Sequence, residues 1–357
     1  MNRIRFSRFL LSIMLGGLIF SSIIRSGLSY TQTQSNQDQN SFIPESCTIF
    51  TVNISDTVFF GSNVDYHLHG TYMWMVPSQE ITPLFENIII YGCVAFGFRY
   101  NNDPVDGHAQ GGMNDQGLCV DINGLPALSL NPHPEREAPY IYPIEQTLFE
   151  CVNVSDVIHW FQTHNLGTVW NYQLHYADAS GDAVVVSVGL DGEFAFTRKN
   201  SSHYLVSTNF NLANYANGYY PCSRYTTATS MLASITEEVN LTVDACRDIL
   251  DAVHQEGQYA TKYSYIFDPI NLKIHLFYNH NFNKILSLDL IEELGNVHRG
   301  GVGVIEEIYG LYFKEVSIAS LFETPGSPSI PGYPLVVLIS TAALWSLILI
   351  FLERKRN

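Results

Sequence analysis

Basic residues are scarce in this 357-residue sequence: 18 lysines and arginines stand against 34 aspartates and glutamates, a formal net charge of −16. A surface of that sign argues against a nucleic-acid partner and against peripheral binding to anionic lipid, because both select positive potential. Also missing are an internal repeat, a phosphate-cradling glycine loop and a Gly-x-Ser-x-Gly elbow. Their absence removes the commonest nucleotide-binding and serine-hydrolase chemistries and leaves no motif for a cofactor. Cysteine occurs at only six positions, 47, 93, 119, 151, 222 and 246, without metal-site spacing. His67 and His69 alternate on an extended segment and, with His108 or His133, would face a zinc ion, but no carboxylate or cysteine completes a recognisable ligand set. No metal is therefore expected, and His67, with Tyr72 and Trp74, is read as walling a pocket or packing.

The hydrophobic share of 46% is inflated by the two ends. Arg3, Arg5 and Arg8 precede an apolar run from Phe9 to Ile24, so residues 1–30 read as a signal peptide or an uncleaved anchor. Residues 31–46 begin with a Gln- and Asn-rich stretch that lacks any apolar period and read as a disordered propeptide. At the other end, the Pro- and Gly-rich residues 322–334 form a linker before a charge-free apolar stretch over 335–352. That stretch is expected to be a transmembrane helix, with the basic residues 353–357 in the cytoplasm and the body of the chain outside the cell. The sequons at Asn53, Asn153, Asn200 and Asn240 agree with that location.

Between the ends, residues 47–321 alternate strand and helix patterns. Strands are expected at Thr48–Val52, Thr57–Gly61, Tyr72–Val76, Ile88–Phe98 and Leu118–Ile122, then at Tyr172–Ala177, Ala183–Val188, Phe194–Arg198 and Tyr204–Thr208, and finally at Tyr263–Phe267 and Lys273–Tyr278. Helical patterns cover Pro143–His164, broken near Asn153 with Ser155 placed to cap its second half, and Ser223–Ile235 and Val243–Gln255, the last capped by Thr242. The order predicts an α+β domain of antiparallel sheets covered by helices.

Chemistry concentrates where Cys47-Thr-Ile-Phe opens one strand and Gly61-Ser-Asn-Val-Asp65 closes the next. A hairpin turning near Ser55 and Asp56 returns Asp65 beside Cys47. That proximity suits a terminal cysteine whose thiol attacks and whose own α-amine, with a pKa of about 7.7–8.0, acts as base while a carboxylate holds it. Such a role requires cleavage between Ser46 and Cys47. Without it, the residues are an edge-strand cysteine and a turn aspartate in a catalytically silent binding domain on a membrane stalk.

Further motifs decide between these. Cys47-Thr-Ile-Phe, Phe60-Gly-Ser-Asn-Val-Asp65-Tyr, Gly111-Gly-Met-Asn-Asp-Gln-Gly-Leu118, Ala177-Asp-Ala-Ser-Gly-Asp182, Ser207-Thr-Asn209-Phe, Cys222-Ser-Arg224-Tyr and Tyr263-Ser-Tyr-Ile-Phe-Asp268 together resemble the choloylglycine hydrolase and penicillin acylase-like group of N-terminal-nucleophile hydrolases, and the related acyl-transferase and peptidase group. The resemblance implies a four-layer αββα sandwich and attack on a linear, non-peptide amide C–N bond of a small N-acyl substrate. It makes Cys47 the nucleophile, Asp65 its orienting carboxylate, Asn209 an oxyanion donor and Arg224 a cation near the thiol. The segment Val120–Pro126 matches loosely the loop that gives the second oxyanion donor, which makes the backbone near Asn123 the candidate. Ser62 stands where many members carry arginine in Gly-Arg-Asn-x-Asp, which argues against a bile-salt type of site. Hydrolysis and acyl transfer to an amine share the same acyl-enzyme and remain alternatives at this stage.

Overall fold

The computed structural model describes residues 47–67, 70–83, 86–99, 107–306 and 310–323. The expected signal segment, propeptide, transmembrane helix and basic tail, together with Ser46, His69 and nearly all of the linker, lie outside them. Among the described residues no helix is long and apolar enough to cross a membrane. Phe322, assigned above to the linker, instead ends the helix Ile318–Phe322 and stacks on Tyr278 with 5.7 Å between ring centres.

Two large antiparallel sheets dominate, as the α+β reading expects. One runs from edge to edge through Tyr204–Ser207, Thr48–Ile54, Thr57–Asp65, Thr261–Asp268, Lys273–Tyr278 and Leu286–Asp289. The other runs through Phe194–Arg198, Ala183–Val188, Val169–Ala177, Cys119–Ser129, Gly107–Asn114, Cys93–Arg99, Thr71–Val76, Tyr312–Ser317 and Val304–Glu306. Side chains alternate across each strand, so each sheet has an inner and an outer face. On the inner faces Phe60, Tyr263, Tyr265 and Phe267 of the first sheet meet Met73, Met75, Phe96 and Phe98 of the second in one buried cluster. The ring centres of Phe96 and Tyr265 lie 5.1 Å apart.

The outer faces are closed by helices. Val120, Ile122, Leu174, Tyr176, Val184 and Val186 pack with residues of the helices Pro143–Glu150 and Val154–Thr163. Phe50, Val52 and Ile266 pack with Ala228, Leu232, Ile249 and Leu250 of Ser223–Ser234 and Val243–Ala252. The expected break between the first two helices is present, but its cap differs: the Asn153 side chain, not that of Ser155, accepts a hydrogen bond from the Asp156 N–H. Asn153 is extended, as an N-cap must be, whereas Ser155 already lies inside the helix. Thr242 caps Val243–Ala252 as expected, through the Ala245 N–H.

The expected strand Ile88–Phe98 is two strands, Ile88–Ile90 and Cys93–Arg99. Tyr91 and Gly92 leave the ladder between them, their N–H groups donating to the Phe149 carbonyl and the Asp115 carboxylate. No disulfide joins any of the six cysteines, and only Cys222 is not buried.

Candidate active site

Within the aromatic inner space, one region is polar. Thr51, Ser62, Asp121, Asn123, Gln173, His175 and Ser207 are all fully buried. Period-two alternation puts them on the inner faces together with Ile49, Phe60 and Ala177. Buried polar groups are costly unless paired, so their partners carry information. His175 Nε2 lies 3.0 Å from Thr51 Oγ1 and Nδ1 lies 2.9 Å from Ser207 Oγ. Burial lowers its pKa to about 3, which keeps the ring neutral. The Tyr265 hydroxyl donates to Asp121 at 2.5 Å. Burial is the main cause that raises the Asp121 carboxyl to about 7.

Cys47 stands beside this region, one residue before its strand and 1% exposed. The hairpin turns at Ser55 and Asp56, and its register sets Thr48 opposite Asn63. One step further, Cys47 faces Val64 and Asp65 lies beside that pair. On the other side Ile49 pairs with Ser207, and the same register extended brings Asn209 beside Cys47. Alternation puts the Cys47 side chain on the inner face with Ile49, and Thr48 on the helix face with Phe50. Burial raises the Tyr265 phenol well above its usual range, with Asp121, Tyr263 and Cys47 adding to the effect.

Arg224, the second residue of the helix Ser223–Ser234, ties these segments together. One guanidinium nitrogen donates to the Cys47 carbonyl at 2.7 Å and to Thr48 Oγ1 at 2.8 Å. The other donates to Asn209 Oδ1 at 2.9 Å. With its oxygen so held, the Asn209 amide turns its nitrogen the other way, where it donates to the Gly124 carbonyl at 3.0 Å. The strand Cys119–Ser129 shifts register between Gly124 and Leu128, the kind of irregularity that re-aims local groups.

Asp65 is fully buried. Its Oδ1 accepts from Thr261 Oγ1 at 2.5 Å, while Oδ2 lies 3.8 Å from Arg224 and has no hydrogen-bond partner. Burial raises its pKa to about 8, against the opposing pull of Arg224 and Thr261. Asn123 is buried on the neighbouring inner face, and its Nδ2 likewise has no partner.

The structure thus gathers Cys47, Asp65, Asn209 and Arg224, with Asn123 adjoining through the Gly124 carbonyl. It does not gather Trp74. That residue lies on the outer face of the nine-stranded sheet, opposite Met73 and Met75, and its indole N–H donates to Glu315 at 2.9 Å. The sequence places Trp74 only four residues after Gly70, and one pleat decides which face it takes. His67 is exposed just beyond Asp65, with its ring 4.5 Å from Tyr66 and 6.0 Å from Tyr259 between centres. His133 is held instead by Glu135 and Glu193, at 3.0 and 2.8 Å. Among the described residues no group of three or more His, Cys, Asp or Glu could hold a metal ion. Three residues that complete the cluster escaped the sequence reading: Thr261, Gln173 and Asp121. Only Asp121 left a signal, as a carboxylate inside the apolar run Leu118–Ile122.

No protein-family model matches the sequence, and no curated protein matches it. Solved structures do. A cysteine-to-alanine mutant of conjugated bile acid hydrolase from Clostridium perfringens superposes with a TM-score of 0.55 at 12% identity, over 81% of this chain and 100% of that one. An arginine-to-leucine variant of the same enzyme gives 0.54 at 13% identity over the same shares. Penicillin V acylase from Agrobacterium tumefaciens gives 0.51 at 14% identity, over 69% of this chain and 86% of that one. At such identities the likeness establishes the fold, and the fold is the one that this chain shares with conjugated bile acid hydrolase and penicillin V acylase.

Proposed function

We propose that this protein hydrolyses a linear, non-peptide amide C–N bond in a small N-acyl substrate through a Cys47 thioester, after removal of the residues up to and including Ser46. The observation that carries the reading is Arg224, which in one guanidinium holds the Cys47 carbonyl and the Asn209 side chain and lies 3.8 Å from Asp65. An arginine serving only a helix start would have no reason to join these three.

In the proposed reaction the freed Cys47 α-amine takes the thiol proton, and the thiolate attacks the substrate carbonyl carbon. The carbonyl oxygen becomes negative and draws on the side-chain N–H groups of Asn209 and of Asn123, the latter in place of the backbone donor expected near that residue. Collapse breaks the C–N bond, the α-ammonium gives its proton to the leaving amine, and water then cleaves the thioester to a carboxylic acid. Asp65 Oδ2, buried without a hydrogen bond, is the acceptor for the ammonium, and a cation there would bring down a carboxyl that burial, aided by the Asp121 charge, has raised. Ser62 stands where a bile-salt type of motif carries arginine, so the substrate is expected to lack a group needing that cation. The same proposal keeps the domain outside the cell on a helix over 335–352, a placement supported by the apolar run and the basic tail alone.

The test is a panel of N-acyl amides incubated with purified protein, with released acid and amine measured by mass spectrometry. Both products should appear in equal amounts and vanish after thiol alkylation. Added amine should divert part of the acid into a new amide if acyl transfer competes with water. Amide cleavage that survives complete alkylation of Cys47 would contradict the thioester route.

A further inference from the structure

We infer that Gln173 is the positioning residue of the oxyanion-binding pair, setting Asn209 and Asn123 in fixed directions at once; this rests on the reading of those two asparagines given above. Gln173 lies in the strand Val169–Ala177, fully buried and directly opposite Asn123 in the sheet register. Its Nε2 donates to the Thr208 carbonyl at 2.6 Å, in the peptide that enters Asn209, and to the Phe210 carbonyl at 2.8 Å, one peptide beyond the one that leaves it. Its Oε1 accepts from the Leu212 N–H at 3.2 Å. The Asn209 carbonyl is held as well, by the Tyr219 N–H at 2.9 Å. Gln173 on the entering peptide and Tyr219 on the leaving one together fix the Cα–Cβ direction of Asn209, and so fix where its amide can reach.

A purely structural clamp would end there. Gln173 Nε2 also lies 3.4 Å from Asn123 Oδ1, a contact that holds no backbone at all. With its oxygen drawn toward Gln173, the Asn123 amide presents the opposite way its Nδ2, the donor that has no protein partner. The two asparagines are therefore oriented by one device used twice. Arg224 ties the Asn209 oxygen while one Asn209 N–H goes to the Gly124 carbonyl, and the Asn123 oxygen shares, at longer range, a Gln173 N–H that also serves a peptide carbonyl, so that one N–H of each asparagine is set in direction. Preorganised donors of this kind act on the charge that develops in the transition state and not on the neutral carbonyl.

The experiment compares Gln173→Leu and Gln173→Glu with wild type in turnover per titrated thiol, KM and melting temperature, adds the double variant Gln173→Leu/Asn209→Ala, and includes crystal structures of both single variants. Turnover should fall between about tenfold and a hundredfold in Gln173→Leu, the range set by a misplaced catalytic group. KM should stay within about twofold, since ground-state binding is not the interaction removed. The double variant should be little slower than Asn209→Ala alone, because the two side chains act through one interaction. Gln173→Glu should recover activity as pH falls, where the protonated carboxyl again donates to a carbonyl, at unchanged folded fraction. Normal turnover in Gln173→Leu, or effects that multiply fully in the double variant, would overturn the inference. If no substrate turns over, the structures still decide it: Asn209 and Asn123 unmoved in both variants would overturn the inference, and their displacement would sustain it while the hydrolase reading fails.

Discussion

The Cys47→Ala variant is expected to yield a folded chain that retains the residues before position 47 and hydrolyses no amide. Removal of an enzyme's nucleophile costs turnover about a millionfold, so any measurable rate should be traceable to wild-type contamination. The fold should survive because Cys47 precedes its strand and lies outside the aromatic cluster between the sheets. The unprocessed variant also has a diagnostic response to pH. Asp65 has a folded-state pKa of about 8, above its ordinary value of 3.8. Between those values the folded state binds more protons than the unfolded state, so the stability this group contributes is present in full at low pH and is lost as pH rises through the window. The slope from one such group is at most about 1.4 kcal/mol per pH unit. Asp121, raised to about 7, works in the same direction. Denaturant unfolding of Cys47→Ala from pH 5 to 8, beside Cys47→Ala/Asp65→Asn, isolates the Asp65 share. An equal slope in the two chains would show that Asp65 is ionised throughout and paired in the unprocessed protein.

Asn209→Ala is expected to lower turnover by roughly a hundred- to a thousandfold, about 2.7–4 kcal/mol, with a much smaller change in KM. The strand register brings Asn209 beside Cys47, and the Arg224 bond sets its amide. An N–H aimed at a carbonyl oxygen gains strength as that oxygen becomes negative, so the loss falls on the chemical step. A structural asparagine would behave differently. Truncation would leave the Arg224 guanidinium short of one acceptor and the Gly124 carbonyl short of a donor, lowering thermal stability. Turnover per folded molecule would then stay near normal. Turnover and melting temperature on the same preparation, with active sites counted by thiol titration, separate the two. Near-wild-type turnover in correctly matured protein would remove Asn209 from the oxyanion role.

How much of this was legible depends on the kind of signal. Strands dense in β-branched and aromatic residues, such as Ala183–Val188, Phe194–Arg198 and Lys273–Tyr278, stand where the alternation puts them. The strand Gly107–Asn114 was invisible to that pattern, since Gly-His-Ala-Gln-Gly-Gly-Met-Asn has no β-branched residue. Packing supplies the reason: a Cβ at Gly111 would collide with the Tyr265 hydroxyl, and one at Gly112 with the Val94 carbonyl. Here the tertiary neighbours, not local propensity, chose the residues. The strands Leu286–Asp289 and Val304–Glu306 were missed because three or four residues carry little periodicity, and Tyr312–Ser317 because adjacent Lys314 and Glu315 interrupt its apolar alternation.

The site followed the same division. Cys47 and Asp65 are brought to neighbouring positions by one hairpin, and a turn between two strands is local information. Arg224 joins Cys47 from 177 positions away, and Thr261 reaches Asp65 from 196 positions away. Contacts of that span are products of the sheet order, and no spacing announces them. Arg224 was found because its motif resembles a known group, whereas Thr261 and Gln173 sit in no motif and became visible only as hydrogen-bond partners.

The central claim is that Cys47 becomes a free N-terminus, and N-terminal sequencing joined to intact mass of active protein tests it most directly. The account predicts a chain beginning Cys-Thr-Ile-Phe, with a mass lacking all residues through Ser46. A fully active preparation whose chain begins near Tyr30, with Cys47 internal, would contradict it, because no α-amine would then stand beside the Cys47 thiol to serve as base.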